Sequence, residues 1–403
     1  MRDFIFKKLV FIVILAVPAA NAGEMLASKA KLHQLDHGHE ALLVSALERV
    51  RQGNTRAALP LLEQLVEVNP KFKLAQLIYA DLLLAQSRPI RDFGNLSSAP
   101  YQQIVALRDE AQARWRHHLS PPQQNRLPAA LIKLSKQQKH AIVVDMNTSR
   151  LYLYENNAGE PKLVQDFYTT IGKKGVGKYL EGDQKTPVGV YFVTGFIEPE
   201  ELPDLYGDGA FPIDYPNVWD QRHGRTGYGI WLHGTPSATF SRPPRDSNGC
   251  VIVSNKDLNT IAPYVRVGTT PVILADNIDW IGRDEWKKKQ SQFDGFLEKW
   301  RKDWESRDAE LYLSHYSKQY SGLGKNYDSW VEYKRRVNPS KRFIKVGLSE
   351  KSMFLYPGEK ALLVVTFEQD YASDNVTRRF IKRQYWQQDK DGQWRIVYEG
   401  SVS

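Results

Sequence analysis

The chain carries a single cysteine, Cys250, in the run Ser247-Asn-Gly-Cys-Val251. Seventeen residues earlier the apolar run Ile230-Trp-Leu-His ends at His233. A thiol is a weak nucleophile at neutral pH unless a base or a positive field draws off its proton. An imidazole in hydrogen-bond reach does this, then returns the proton to a leaving amine. The imidazole needs a third group to fix which nitrogen carries hydrogen. Gly249 fits acyl chemistry too, because a residue without Cβ lets backbone amides approach a developing oxyanion. Serine, asparagine and glycine around Cys250 suit a tight turn rather than a core strand. A cysteine that only fills space would be a small hydrophobe in an apolar run. His223 is the rival base, ten residues before His233, but it lies in a charged, glycine-containing loop.

The N-terminus sets the compartment. Arg2, Lys7 and Lys8 precede the unbroken apolar stretch Leu9 to Val17, and Ala20-Asn21-Ala22 supplies a small-x-small cleavage site. This pattern predicts a signal peptide over residues 1–22, cleaved after Ala22, and a periplasmic mature protein. The apolar stretch is too short to span a bilayer comfortably, and no later segment is apolar enough, so no membrane span is expected after cleavage. Exported proteins usually hold cysteines in pairs, so a lone one suggests a reactive thiol or an intermolecular bridge.

The 403 residues have a net charge of +9, 42% hydrophobic content and abundant aromatics, a composition that favours two or three folded domains over disorder. No dense Lys/Arg run is interleaved with aromatics, which argues against nucleic acid as a partner. The fold expected is multi-domain α+β. Gly53, Ala58, Leu62 and Pro70 fall where a tetratricopeptide-like (TPR-like) helical segment, residues 39–86, places its small and apolar residues. A plain helical cap would share that pattern. His33, His37 and His39 precede it without cysteine or acidic ligands at metal spacing, so no metal is expected. Residues 87–138 form a linker with one amphipathic helix, Tyr101 to Leu119, on which Ile104, Leu107, Ala111 and Trp115 recur at helical spacing. From His140 short strand-like runs follow, with Asn147-Thr148-Ser149 as a hairpin turn, and they predict a β-rich sandwich or barrel. From Trp280 the stripe Phe293, Phe296, Leu297, Trp300 and Trp304 predicts a long helix ending near Tyr316, and five strand-like runs come after it. That order resembles an NTF2-like cone over residues 284–403.

Ile230-Trp-Leu-His-Gly-Thr235, the spacer and Ser247-Asn-Gly-Cys250, together with Gly182-Asp-Gln-Lys-Thr-Pro-Val-Gly-Val-Tyr191, resemble the L,D-transpeptidase catalytic (YkuD) domain family. The resemblance covers residues 139–276. It implies Cys250 as nucleophile, His233 as base, the Gly234 carbonyl as the group that orients the imidazole, and the amides of Gly249 and Cys250 as oxyanion hole. Two positions depart from the family pattern: Asn248 stands where a second histidine is usual, and Ile252 where an arginine often follows the cysteine. Ser247, Asn248, Arg225 and Arg245 are the candidate substrate-binding residues, with Arg242 a further replacement for the lost arginine.

By this resemblance the substrate is a peptidoglycan stem peptide, cut at the diamino acid–D-alanine bond by an L,D-carboxypeptidase or L,D-transpeptidase, with no cofactor. The Ser-Asn-Gly-Cys variant with an NTF2-like tail resembles L,D-carboxypeptidases that set cell shape, which favours trimming. An amidase releasing wall-linked protein and a non-catalytic wall-binding scaffold are the alternatives. The TPR-like and NTF2-like parts suit a protein partner, and the C-terminal domain is expected to do no chemistry and to be dispensable for reaction of Cys250 with a small electrophile.

Overall fold

The computed structural model describes residues 38–90, 92–94, 101–121 and 125–402. The expected signal peptide, His33 and His37 lie outside them. The chain divides into two compact units, a helical one within residues 38–90 and a larger one that holds residues 71–74 and the chain from 92 onwards. Among the described residues no helix is long and apolar enough to cross a membrane.

The helical unit contains Gly38–Arg51, Thr55–Val68 and most of Lys73–Leu84. Gly53 takes φ +75°, which ends the first helix, and Asn54 caps the second by accepting the Ala57 N–H at 3.1 Å. Leu43, Ala46, Ala58, Leu62 and Leu65 are buried at helical spacing. His39 hydrogen-bonds with Asn69.

In the larger unit the catalytic region is built on a five-stranded sheet in the order Glu160–Tyr168, Arg150–Asn157, His140–Asp145, Pro271–Ala275, Gly189–Phe192. The central strand His140–Asp145 is buried on both faces, which explains its continuous apolar run. Ile142 and Val144 pack toward a second sheet that carries Phe211, Leu232 and Val251, whereas Ala141 and Val143 face the opposite core. The second sheet has three short strands, Val251–Ile252, Trp231–His233 and Ala210–Pro212. It holds both candidate catalytic segments on adjacent, parallel strands, with Val251 opposite Leu232.

The C-terminal region opens with helix Arg283–Glu305, whose buried face is Trp286, Phe293, Leu297, Trp300 and Trp304. Its long strands Ile344–Leu355, Leu362–Ser373, Thr377–Gln388 and Trp394–Ser401 form consecutive antiparallel neighbours. The predicted helix to Tyr316 is broken: Ser306 ends the first piece, and Asp308 caps a short second helix, Ala309–Leu313. A further helix, Tyr327–Ser340, occupies a stretch without a clear sequence signal.

The fifth strand of this C-terminal sheet is Leu131–Lys133, from the segment that precedes the catalytic region. Next to it Arg126–Pro128 pairs with Trp280–Gly282. One hydrophobic core is therefore shared, containing Leu131, Val143, Tyr152, Trp219, Phe354, Tyr356 and Tyr385. Trp219 stacks on Tyr385 at 5.4 Å and 10°, and Asn217 Nδ2 donates to Tyr356 Oη at 3.0 Å. This core bears on the expectation that the C-terminal domain is dispensable for reaction of Cys250 with a small electrophile, because its removal would uncover Trp219 and one face of the central sheet. Leu131 is fully buried in that shared core. Leu131→Ala is expected to lower the unfolding free energy by about 2–5 kcal/mol. A urea titration at constant m-value checks it, and a shift below about 0.5 kcal/mol would remove this strand from the core.

Candidate active site

His233 ends a three-residue strand whose neighbours on the two sides are Ala210 and Ile252. Its ring is buried, at 2% exposure, and Nδ1 lies 2.7 Å from the Gly234 carbonyl oxygen. A carbonyl can only accept, so Nδ1 carries the proton and Nε2 presents a lone pair. The turn after His233 is tightly held. Asn255 Oδ1 accepts the Thr235 N–H at 2.9 Å, Asn255 Nδ2 donates to Thr235 O at 2.9 Å, and the Gly234 N–H donates to Tyr206 O at 3.1 Å. A Cβ at position 234 would overlap the Asn255 side chain, so only glycine fits. The Tyr206 ring meets the imidazole edge-on at 4.9 Å.

Cys250 follows Gly249, whose φ of +131° and 2.8 Å approach of a notional Cβ to Lys185 O both require glycine. Thr186, from the Thr-Pro-Val-Gly segment, donates through Oγ1 to Gly249 O at 2.9 Å and accepts the Gly172 N–H at 2.9 Å. Ser247 is buried, donates to Cys250 O at 2.7 Å and accepts the Gly249 N–H at 3.0 Å. Ser247 thus builds the turn. The Gly249 N–H expected in the oxyanion hole is directed to Ser247 Oγ in this geometry. The thiol itself donates to Gly229 O at 3.3 Å.

Burial decides the electrostatics. It pushes the Cys250 thiol up to about 11, against the Trp231 backbone N–H and the charges of Arg242 and Lys178. It also lowers His233 to about 4, a shift the Gly234 carbonyl opposes and Arg242 reinforces. The resting pair is therefore neutral thiol and neutral imidazole, and proton transfer must accompany attack on a carbonyl. Arg242 is held through Nε on Asp246 Oδ2 at 2.9 Å, and Lys178 through Nζ on Asp183 Oδ1 at 2.9 Å.

The other candidates divide. Arg225 binds Asp220 at 3.0 Å and Glu359 at 2.8 Å, so the expected carboxylate receptor is instead a clamp between catalytic and C-terminal regions. Asn248 and Arg245 are exposed. His223 caps the short helix Val218–Arg222, with Nδ1 on Trp219 O at 2.8 Å and its ring against Trp219. Tyr206, Lys178 and Asn255 were not apparent from sequence. Tyr206 lies in an acidic loop 27 residues before His233, and only the fold brings it there.

A β-sandwich carrying a buried, Nδ1-protonated histidine on the strand next to a glycine-turn cysteine, with an α+β cone behind it, defines a two-domain class. The L,D-transpeptidase catalytic domain family (YkuD) matches residues 139–274, and the Cds6 C-terminal NTF2-like domain matches residues 292–400. Bd1075 of Bdellovibrio bacteriovorus is 31% identical, with a TM-score of 0.61 over 69% of this chain and 98% of that one. The chain belongs to the YkuD L,D-transpeptidase catalytic domain family, in a branch with a C-terminal NTF2-like domain. The helical cell shape determining protein Pgp2 of Campylobacter jejuni shares the fold at 24% identity, with a TM-score of 0.57 over 69% of this chain and 96% of that one. No curated protein matches the sequence.

A resting neutral thiol has a measurable signature. The rate of alkylation of Cys250 by iodoacetamide is expected to rise with pH toward about 11, with no plateau near neutrality. A titration midpoint below pH 7 would instead establish a standing thiolate–imidazolium pair.

Proposed function

We propose that the chain is an exported L,D-carboxypeptidase that removes D-alanine from peptidoglycan tetrapeptide stems. The observation that carries this is the hydrogen bond from His233 Nδ1 to Gly234 O, beside a cysteine turn held by Thr186 and Ser247. It leaves Nε2 as the only imidazole atom able to take the thiol proton. The Cys250 sulfur attacks the diamino-acid carbonyl while His233 Nε2 accepts its proton, and a C–S bond forms. The Cys250 N–H is the backbone donor for the oxyanion, since the Gly249 N–H serves Ser247. Collapse breaks the C–N bond, and D-alanine leaves with the proton returned by His233. Water then attacks the thioester, again giving its proton to His233, and the shortened stem departs as a carboxylate while the thiol is restored.

Hydrolysis is favoured over cross-linking by three features. Cys250 is partly exposed to solvent, so water reaches a thioester carbonyl. Asn248 replaces a histidine, and Ile252 is buried at the position of an arginine. The first replaces an imidazole with an uncharged amide, and the second removes a cationic receptor for a carboxylate of an acceptor stem. The signal-like N-terminus supports a periplasmic location, where such stems occur.

On a defined tetrapeptide, Cys250→Ala is expected to abolish D-alanine release. His233→Ala should lose about a thousandfold or more, and His223→Ala less than about tenfold. Mass spectrometry of the products reads all three, and the reverse ranking of the histidines would overturn the assignment. With excess acceptor stem, tripeptide and free D-alanine should dominate; abundant dimers joined through two diamino acids would make the enzyme a cross-linker.

A further inference from the structure

A cavity of about 860 Å³ lies between helix Tyr101–Leu119 and the catalytic sandwich, outside both family-matched segments on its helical side. Its size suits a ligand rather than a packing defect. The helix wall is fixed by charges buried at the interface. Glu110 and Arg114 pair at 2.9 Å with side chains 1% and 5% exposed, and Ser241 Oγ donates to Glu110 at 2.7 Å. Arg114 also lies 3.8 Å over the Tyr168 ring, and His117 Nε2 is 2.7 Å from Asp166. A gap between loosely packed elements would not carry such ties.

The cavity presents Arg116, Arg126 and Arg245, with Trp280, Pro243 and Pro244 as apolar wall. Arg116 donates to Gln112 Oε1 and Arg126 to Trp280 O, both neutral groups. None of the three arginines forms an ion pair among the described residues. Of the two acids on the lining, Asp145 is buried and accepts the Thr148 and Ile278 N–H groups, which leaves Asp109 as the only exposed one. The field inside is positive, and guanidinium forks match carboxylates. One wall is also joined to the reaction centre along the chain. Pro243, Pro244 and Arg245 lie between Arg242, whose charge acts on Cys250, and the Ser247–Cys250 turn.

We propose that this cleft binds the glycan-linked, carboxylate-bearing part of peptidoglycan that flanks the stem cut at Cys250. Sugar rings lie against Trp280 and the prolines, and the stem carboxylate nearest the amide-linked lactyl group meets the arginines. This inference rests on the peptidoglycan reading above. It adds a subsite that selects wall polymer over free peptide.

The test uses the full chain with Cys250→Ala, so that ligand survives, and titration calorimetry with two probes: disaccharide-tetrapeptide and free tetrapeptide. Arg116→Glu with Arg245→Glu is expected to weaken disaccharide-tetrapeptide at least tenfold and free tetrapeptide less than threefold, because the free peptide lacks the sugars that seat its carboxylate against the arginines. Arg116→Lys with Arg245→Lys should keep affinity within about threefold of the parent, which separates charge from misfolding. Unchanged affinity on charge reversal, or equal loss for both probes, would overturn the subsite. Failure of the wild-type chain to release D-alanine, with the reversal still weakening binding, would sink the catalytic reading and leave the subsite standing.

Discussion

A carbonyl oxygen has no proton to give, so the contact between His233 Nδ1 and Gly234 O determines the chemistry available at Nε2. Everything around it serves to keep that carbonyl in place. Asn255 binds Thr235 through both ends of its amide, and Tyr206 O accepts the Gly234 N–H. The close approach of Asn255 is tolerated only because position 234 lacks a Cβ. The oxygen that orients the base is thus itself oriented by residues from two other segments.

The cost of this arrangement is desolvation. A histidine at 2% exposure holds a proton poorly, and a thiol partly withdrawn from water gives one up poorly. Arg242 and Lys178 both favour the thiolate, but Arg242 also disfavours the imidazolium. The site therefore does not store a charged nucleophile. It holds a neutral donor and a neutral acceptor, and under the proposed mechanism the proton would move only as a substrate carbonyl takes up the sulfur electrons. A neutral thiol is also less readily oxidised than a thiolate.

Much of this was legible in the sequence where the signal was local. The Ser-Asn-Gly-Cys turn, the strand ending at His233, the hairpin at Asn147-Thr148-Ser149 and the aromatic stripe of Arg283–Glu305 all follow from spacing and residue type. What was not legible depends on distant partners. Leu131–Lys133 completes a sheet whose neighbouring strand begins at Ile344, more than two hundred residues away. On helix Tyr101–Leu119 the apolar spacing pointed to Ile104, Leu107, Ala111 and Trp115, yet Glu110 and Arg114 are among its buried residues. Their partners Ser241 and Tyr168 compensate the charge, and no local pattern announces them. Arg225 misled for the same reason, because Glu359 sits in another domain.

That last pair bears on why the two folds are joined. Arg225 binds Asp220 and Glu359 together, and only three residues separate it from Gly229, whose carbonyl accepts the thiol's hydrogen bond. Trp219 Nε1 also donates to Glu359 at 3.1 Å, so one C-terminal carboxylate ties down both ends of the short helix and loop. Gly224, Gly227 and Gly229 all take positive φ, which makes this loop costly to order by itself. An external anchor is the direct way to hold such a segment against the Cys250 thiol. The C-terminal cone therefore acts on the thiol's surroundings through Glu359 and Arg225 without contributing any reacting atom.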